Sequence, residues 1–194
     1  MKHLNVFQSI VACTLFANAG AAFAQHSGHT PPSPYAGEQT REIKALSATQ
    51  TADLLAGKGM EQAKAAELNG YPGPMHVLEL AGPLALSEAQ RQDSEALLAG
   101  HKAEARALGA RLVEAERDLD AAFAEKRIDT AQLEQLTRQI GQLQAELRAS
   151  HLRTHLQQTR LLTAPQAALY AELRGYTGAP RAAVPAQHPS HSSH

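Results

Sequence analysis

His151 and His155 stand four residues apart in a stretch with helical periodicity, so their imidazoles share one helix face about a turn apart. His101 and Glu104, some fifty positions earlier, add a third imidazole and a carboxylate. Together these N and O donors suit Zn, Ni, Co or Cu(II). The same histidines also read as ordinary packed residues, hydrogen-bonded and without metal. A second set of donors lies near the ends of the chain: His26 and His29, then His188, His191 and His194. Imidazole is mostly neutral at neutral pH, so such tracts can gather a borderline metal without a folded pocket, or serve only as solubilising tails. Met60 and Met75 are too few for a thioether copper(I) site, and His76 on its short apolar segment reads as packed. No nucleophile is placed for hydrolysis. Ser150 beside His151 and Thr154 beside His155 sit on diverging helix positions, so catalysis is not expected.

The elements that must position these residues are two long amphipathic arms. Leu97, His101, Ala105, Leu108, Leu112, Ala115, Leu119 and Ala122 recur at steps of three or four. Leu133, Leu136, Ile140, Leu143 and Leu147 continue that rhythm in the second arm. Between them, Lys126-Arg127-Ile128-Asp129 breaks the pattern, with Asp129 predicted as an N-cap. So short a connection makes the arms antiparallel neighbours, and the sequence register sets His101 opposite His155. Arg106, Arg111, Arg117, Arg138, Arg148 and Arg153, mixed with Glu, form either a solvated face or the lining of a concave one.

Leu and Ala dominate the apolar residues of the 194-residue chain and Trp is absent, which predicts an all-α fold of one domain. The net charge of -1 gives no reason to expect nucleic acid as a partner. Residues 1–24 have the basic start, apolar run and Ala22-Phe23-Ala24 end of a secretory signal, cleaved after Ala24. A lipidation box around Cys13 is the alternative. Cys13 is the single cysteine, so the chain left by that cleavage has neither a disulfide nor a thiolate site.

Residues 25–34 and 178–194 read as disordered His-containing tails around a helical domain spanning 35–177. Within it, short helices are predicted around Ile43 and Leu46, from Ser47 to Ala56, from Met60 to Leu68, near His76 to Leu80, and from Thr163 to about Gly175. Leu46-Ser47-Ala48-Thr49-Gln50, Leu86-Ser87-Glu88-Ala89-Gln90 and Leu162-Thr163-Ala164-Pro165-Gln166 share Leu-(Ser/Thr)-x-x-Gln. Each predicts a capping box, in which the hydroxyl accepts from the third helical amide and the Gln reaches back to the cap amide.

Two such boxes, at Leu86, Ser87 and Gln90 and at Leu162, Thr163 and Gln166, bracket the long hairpin. In this the chain resembles the Spy/CpxP family of LTxxQ periplasmic chaperones, whose relatives are the zinc resistance-associated and periplasmic heavy-metal sensor proteins. The likeness runs from about Leu84 to Tyr176, with Ser87 where the family has Thr. It implies a helical hairpin protomer, a cradle-like antiparallel homodimer, and ATP-independent holdase action on unfolded or misfolded envelope proteins. It also implies divalent metal binding. The alternative is a metal sensor or metal-buffering resistance protein with a membrane sensor partner and no general chaperone role. No G-x-x-x-x-G-K-[ST] phosphate loop is present.

Overall fold

A computed structural model describes residues 33–177, and these are all-α, with no strand among them. Residues 33–36 form a turn in a unit of their own, and every helix lies in the unit that begins at Gly37. In chain order the elements are a 3-10 turn (Glu38–Thr40), α1 (Ala48–Leu55), α2 (Lys64–Glu67), α3 (Pro74–Glu79), α4 (Glu88–Ala124), α5 (Thr130–Leu161) and α6 (Ala164–Leu173). Among the described residues no helix is long and apolar enough to cross a membrane. The predicted signal sequence, Cys13 and both predicted tails lie outside the described residues, apart from residues 33 and 34.

With 37 residues, α4 is about 55 Å long at 1.5 Å per residue, and α5 folds back along it. Their antiparallel course is marked by Ser94 against Gln158, His101 against His151 and Arg111 against Glu146. The predicted seam is the core: Ala105, Leu108, Leu112 and Ala115 of α4 pack with Ile140, Leu143 and Leu147 of α5. Burying each of these leucines contributes about 2 kcal/mol. The register, however, is one turn away from the sequence reading, and His101 meets His151 rather than His155. A short loop fixes direction but not which turn of one helix settles against which turn of the other.

The loop itself has a local cause. The Arg127 amide donates to the Ala122 carbonyl at 3.2 Å and the Lys126 amide to that of Phe123 at 3.0 Å, closing α4 in a Schellman motif. This puts Lys126 in the left-handed region at φ 54°. The Asp129 carboxylate then accepts from the Gln132 amide at 2.8 Å and starts α5 as predicted. Because a Cβ disfavours the left-handed region, Lys126→Gly should stabilise the chain by about 1 kcal/mol. A rise in the urea midpoint at unchanged slope will register it.

The segment from Gly37 to Leu80 covers its own hairpin. α1 crosses α4, and α2 and α3 lie over the open end against α4 and α5. The predicted helix around Ile43 and Leu46 is instead a series of bends. There the Lys44 amide is drawn to the Asp120 carboxylate of α4 at 3.1 Å, while Ile43 turns into the core. The other short helices occur within about two residues of where predicted, except that the one expected from Met60 begins only at Lys64, because Met60 and Glu61 take left-handed backbone at φ 42° and 61°. Val77, Leu84 and Tyr170 form a second, smaller core at the open end, joined by Leu80, Leu86, Leu162 and Tyr176.

Candidate functional site

Two polar clusters and one motif junction occupy the open half of the hairpin. In the first cluster, His101 Nε2 lies 2.9 Å from His151 Nδ1, with the rings edge to face at 4.4 Å. Ser150 donates its hydroxyl to Glu104 at 2.8 Å, and Arg153 donates to the other oxygen of that carboxylate at 3.3 Å. Since the Ser150 proton is committed, its oxygen is left to accept from His101 Nδ1 at 3.3 Å. The network therefore assigns the tautomers: His101 carries its proton on Nδ1, and His151 donates from Nδ1 to His101 Nε2. His151 Nε2 is then a bare lone pair, buried without a partner.

This arrangement opposes protonation. Burial pushes His151 down to about 4, helped by the neighbouring His101 and His155 and opposed by Glu104. Burial likewise lowers His101, with Glu104 opposing. Both rings are thus harder to protonate in the folded chain than in the unfolded one, where histidine titrates near 6.5. Their contribution to stability is complete above about 6.5 and drains away as the pH falls toward about 4. Urea midpoints should drop through that window, and His151→Gln, which cannot take up the proton, should flatten the decline.

The second cluster centres on Glu67, a buried carboxylate at the end of α2. Its Oε1 accepts from the Tyr170 hydroxyl of α6 and, at 3.1 Å, from that of Tyr176. Arg174 Nε stands 3.6 Å away and His76 Nδ1 3.5 Å. On the other side His155 Nδ1 lies 3.6 Å from Oε2 while donating to the Tyr71 carbonyl at 2.7 Å. The His155 ring fits because residue 73 is glycine: a Cβ there would fall 2.8 Å from its Cε1. Burial, and then the hydrogen bond to Glu67, raise the Tyr170 phenol well above its ordinary range, so it remains a donor. One carboxylate thereby joins α2, α3, α5 and α6. In sequence Glu67 is simply one charged residue of a short polar helix, and none of its partners except His76 lies near it in the chain.

The motif junction lies where the second and third boxes meet. Ser47, Ser87 and Thr163 all close full capping boxes with Gln50, Gln90 and Gln166. In the last two the glutamines also bond each other. Gln90 Nε2 donates to Gln166 Oε1 at 2.8 Å, and Gln166 Nε2 donates to Gln90 Oε1 at 3.0 Å. The remaining amide protons go to carbonyls across the junction, Gln90 to Leu161 at 2.9 Å and Gln166 to Leu84 at 3.1 Å. The Leu-(Ser/Thr)-x-x-Gln signature is thus a cap and a cross-link at once. Gln90→Ala should cost about 2 kcal/mol, and a double-mutant cycle with Gln166→Ala should return a coupling of about 1 kcal/mol. Near-additivity would mean that the two amides act only as separate caps.

Of the predicted metal ligands, His101, His151 and Glu104 share the first cluster, whereas His155 turns away to Tyr71 and Glu67. His26, His29, His188, His191 and His194 lie outside the described residues. Among the described residues no three His, Cys, Asp or Glu side chains are arranged to hold a metal ion. The two facing imidazole nitrogens enclose a proton, so a metal there requires at least one ring to turn. Compared with known proteins, the chain matches no family model, no curated sequence and no solved structure.

Proposed function

We propose that the protein is a periplasmic envelope-stress protein that holds exposed segments of misfolded proteins without ATP, acting as a dimer of antiparallel hairpins. The observation that carries this reading is the reciprocal Gln90–Gln166 bond. It gives both motif copies behind the Spy/CpxP resemblance one shared task, closing the open end of the hairpin. Apolar side chains left in solvent support it as well: Leu55, Leu68, Met75, Phe123, Leu156 and Leu173 are each about half exposed. Such surface is what an unfolded chain can bind and what a second protomer can cover. The test is suppression of aggregation of an unrelated, thermally unfolding protein, followed by light scattering with chelator present and nucleotide absent.

The second reading is a metal sensor or metal buffer. The bare Nε2 of His151, backed by the line of hydrogen bonds through His101 and Ser150 to Glu104, favours it. Such outer partners orient a ligating imidazole. It predicts saturable Zn, Ni or Cu(II) binding in a titration, lost on His151→Ala with His155→Ala. Binding retained in that double variant assigns the metal to the tails.

A further inference from the structure

The closed end of the hairpin carries a groove of about 460 Å³, formed where Lys44 and Ala45 lie over the last turns of α4. Leu119, Phe123, Ala45 and Ala124 give it apolar walls, and three charged residues reach it: Lys44, Asp120 and Glu116. Two of these satisfy each other. Lys44 Nζ lies 3.0 Å from Asp120 Oδ2, and the Lys44 amide donates to Oδ1 at 3.1 Å. Glu116 is left over. It is only 9 % exposed, yet its carboxylate has no hydrogen-bond partner and no cation beside it among the described residues. Burial, unopposed by any partner, holds its carboxyl above the usual range. The nearest arginine in sequence, Arg117, is engaged by Glu114 and Glu42.

A carboxylate set among leucine and phenylalanine, its oxygens still reaching the groove's water, gains from a cation brought to it. Among the described residues no cation pairs with it, so the groove is open to one from outside. An ammonium on a flexible four-carbon stem matches both parts of the groove, the single free carboxylate and the apolar walls. A guanidinium could also pair with this carboxylate through its fork, but it has a broader planar head and an apolar stem one carbon shorter to lay against Leu119 and Phe123.

We propose that this groove takes a lysine side chain of an extended polypeptide, its stem against Leu119 and Phe123 and its ammonium on the Glu116 carboxylate. Phe123, at 55 % exposed, offers the rim on which apolar neighbours of that lysine settle. The polypeptide as source rests on the holdase reading; the lysine chemistry rests on the groove.

The test is fluorescence anisotropy on the full chain left by cleavage after Ala24. Two labelled peptides are compared, one centred on Leu-Lys-Leu and the other with norleucine in place of lysine. The lysine peptide should bind about tenfold or more tightly than its neutral counterpart. Glu116→Gln should make the two equal, and its unfolding midpoint should be at or above that of the parent, since an unpaired buried charge is removed. Phe123→Ala, at an exposed position, should weaken both peptides. Equal binding by the parent chain, a lysine preference that survives Glu116→Gln, or a lowered Glu116→Gln midpoint would overturn the proposal. Unchanged binding in Phe123→Ala would contradict the placement of the stem. If n-butylamine displaces the lysine peptide as well, mole for mole, as unlabelled peptide does, the occupant is a small amine and the polypeptide assignment fails. Protection of an unfolding client without lysine preference contradicts the groove alone. Lysine preference without protection contradicts the holdase alone.

Discussion

Glu67→Ala will cost about 3 kcal/mol of stability, because it strips a buried tyrosine and its partly buried neighbours of one shared acceptor. Tyr170 is almost wholly buried and gives its hydroxyl proton to Glu67, as does Tyr176; Arg174 draws on the same oxygen. Removing the carboxylate leaves the Tyr170 hydroxyl in the second core without water to replace it, and Tyr176 and Arg174 with water alone. Glu67→Gln keeps an oxygen for the two tyrosines and loses only the charge, so its cost should be nearer about 1 kcal/mol. Urea unfolding at fixed protomer concentration separates the two variants. If alanine and glutamine are equally mild, the carboxylate is not what joins α2 to α6.

Gly109→Ala opposes two effects of different size. An alanine in mid-helix normally gains up to about 1 kcal/mol over glycine. At position 109 its Cβ would stand 2.1 Å from the Leu54 carbonyl oxygen, where α1 crosses α4. Backbone cannot yield as a flexible side chain can, so α1 must lift away, taking Leu54 out of the core with it. A net loss of about 2–3 kcal/mol is expected, since overpacking of this kind outweighs propensity. Gly100 is the control on the same helix: an added Cβ meets nothing within 4 Å. Gly100→Ala should therefore stabilise by about 0.5–1 kcal/mol. Opposite signs at the two positions would establish that the α1 crossing, not helix propensity, requires Gly109.

The hairpin was legible because periodicity states it directly. Leu108, Leu112, Leu143 and Leu147 are apolar at helical spacing and are buried. Capping was equally legible, since Ser87, Thr163 and Asp129 act on amides three residues away. Rotation and register were not. Whether His101 meets His155 or His151 depends on how side chains of both arms interlock, and one turn of slip preserves the apolar pattern. Buried polar residues escaped for a related reason. Gln158 is fully buried and donates to Ser94 at 3.0 Å, while Glu116 sits under the Lys44 turn. In a sequence full of Gln and Glu nothing distinguishes these from their solvated neighbours. Glu67 was the largest omission, because its tyrosines come from more than a hundred residues further along the chain.

The central claim, that this hairpin holds unfolding chains without nucleotide or metal, is tested most directly by light scattering. An unrelated protein is heated with and without residues 25–194 of the chain, in chelator. Aggregation should be suppressed at about one protomer per client. Gln90→Ala with Gln166→Ala should weaken the suppression at temperatures where the variant's open end has loosened. Undiminished scattering in the presence of the well-folded parent chain would contradict the claim.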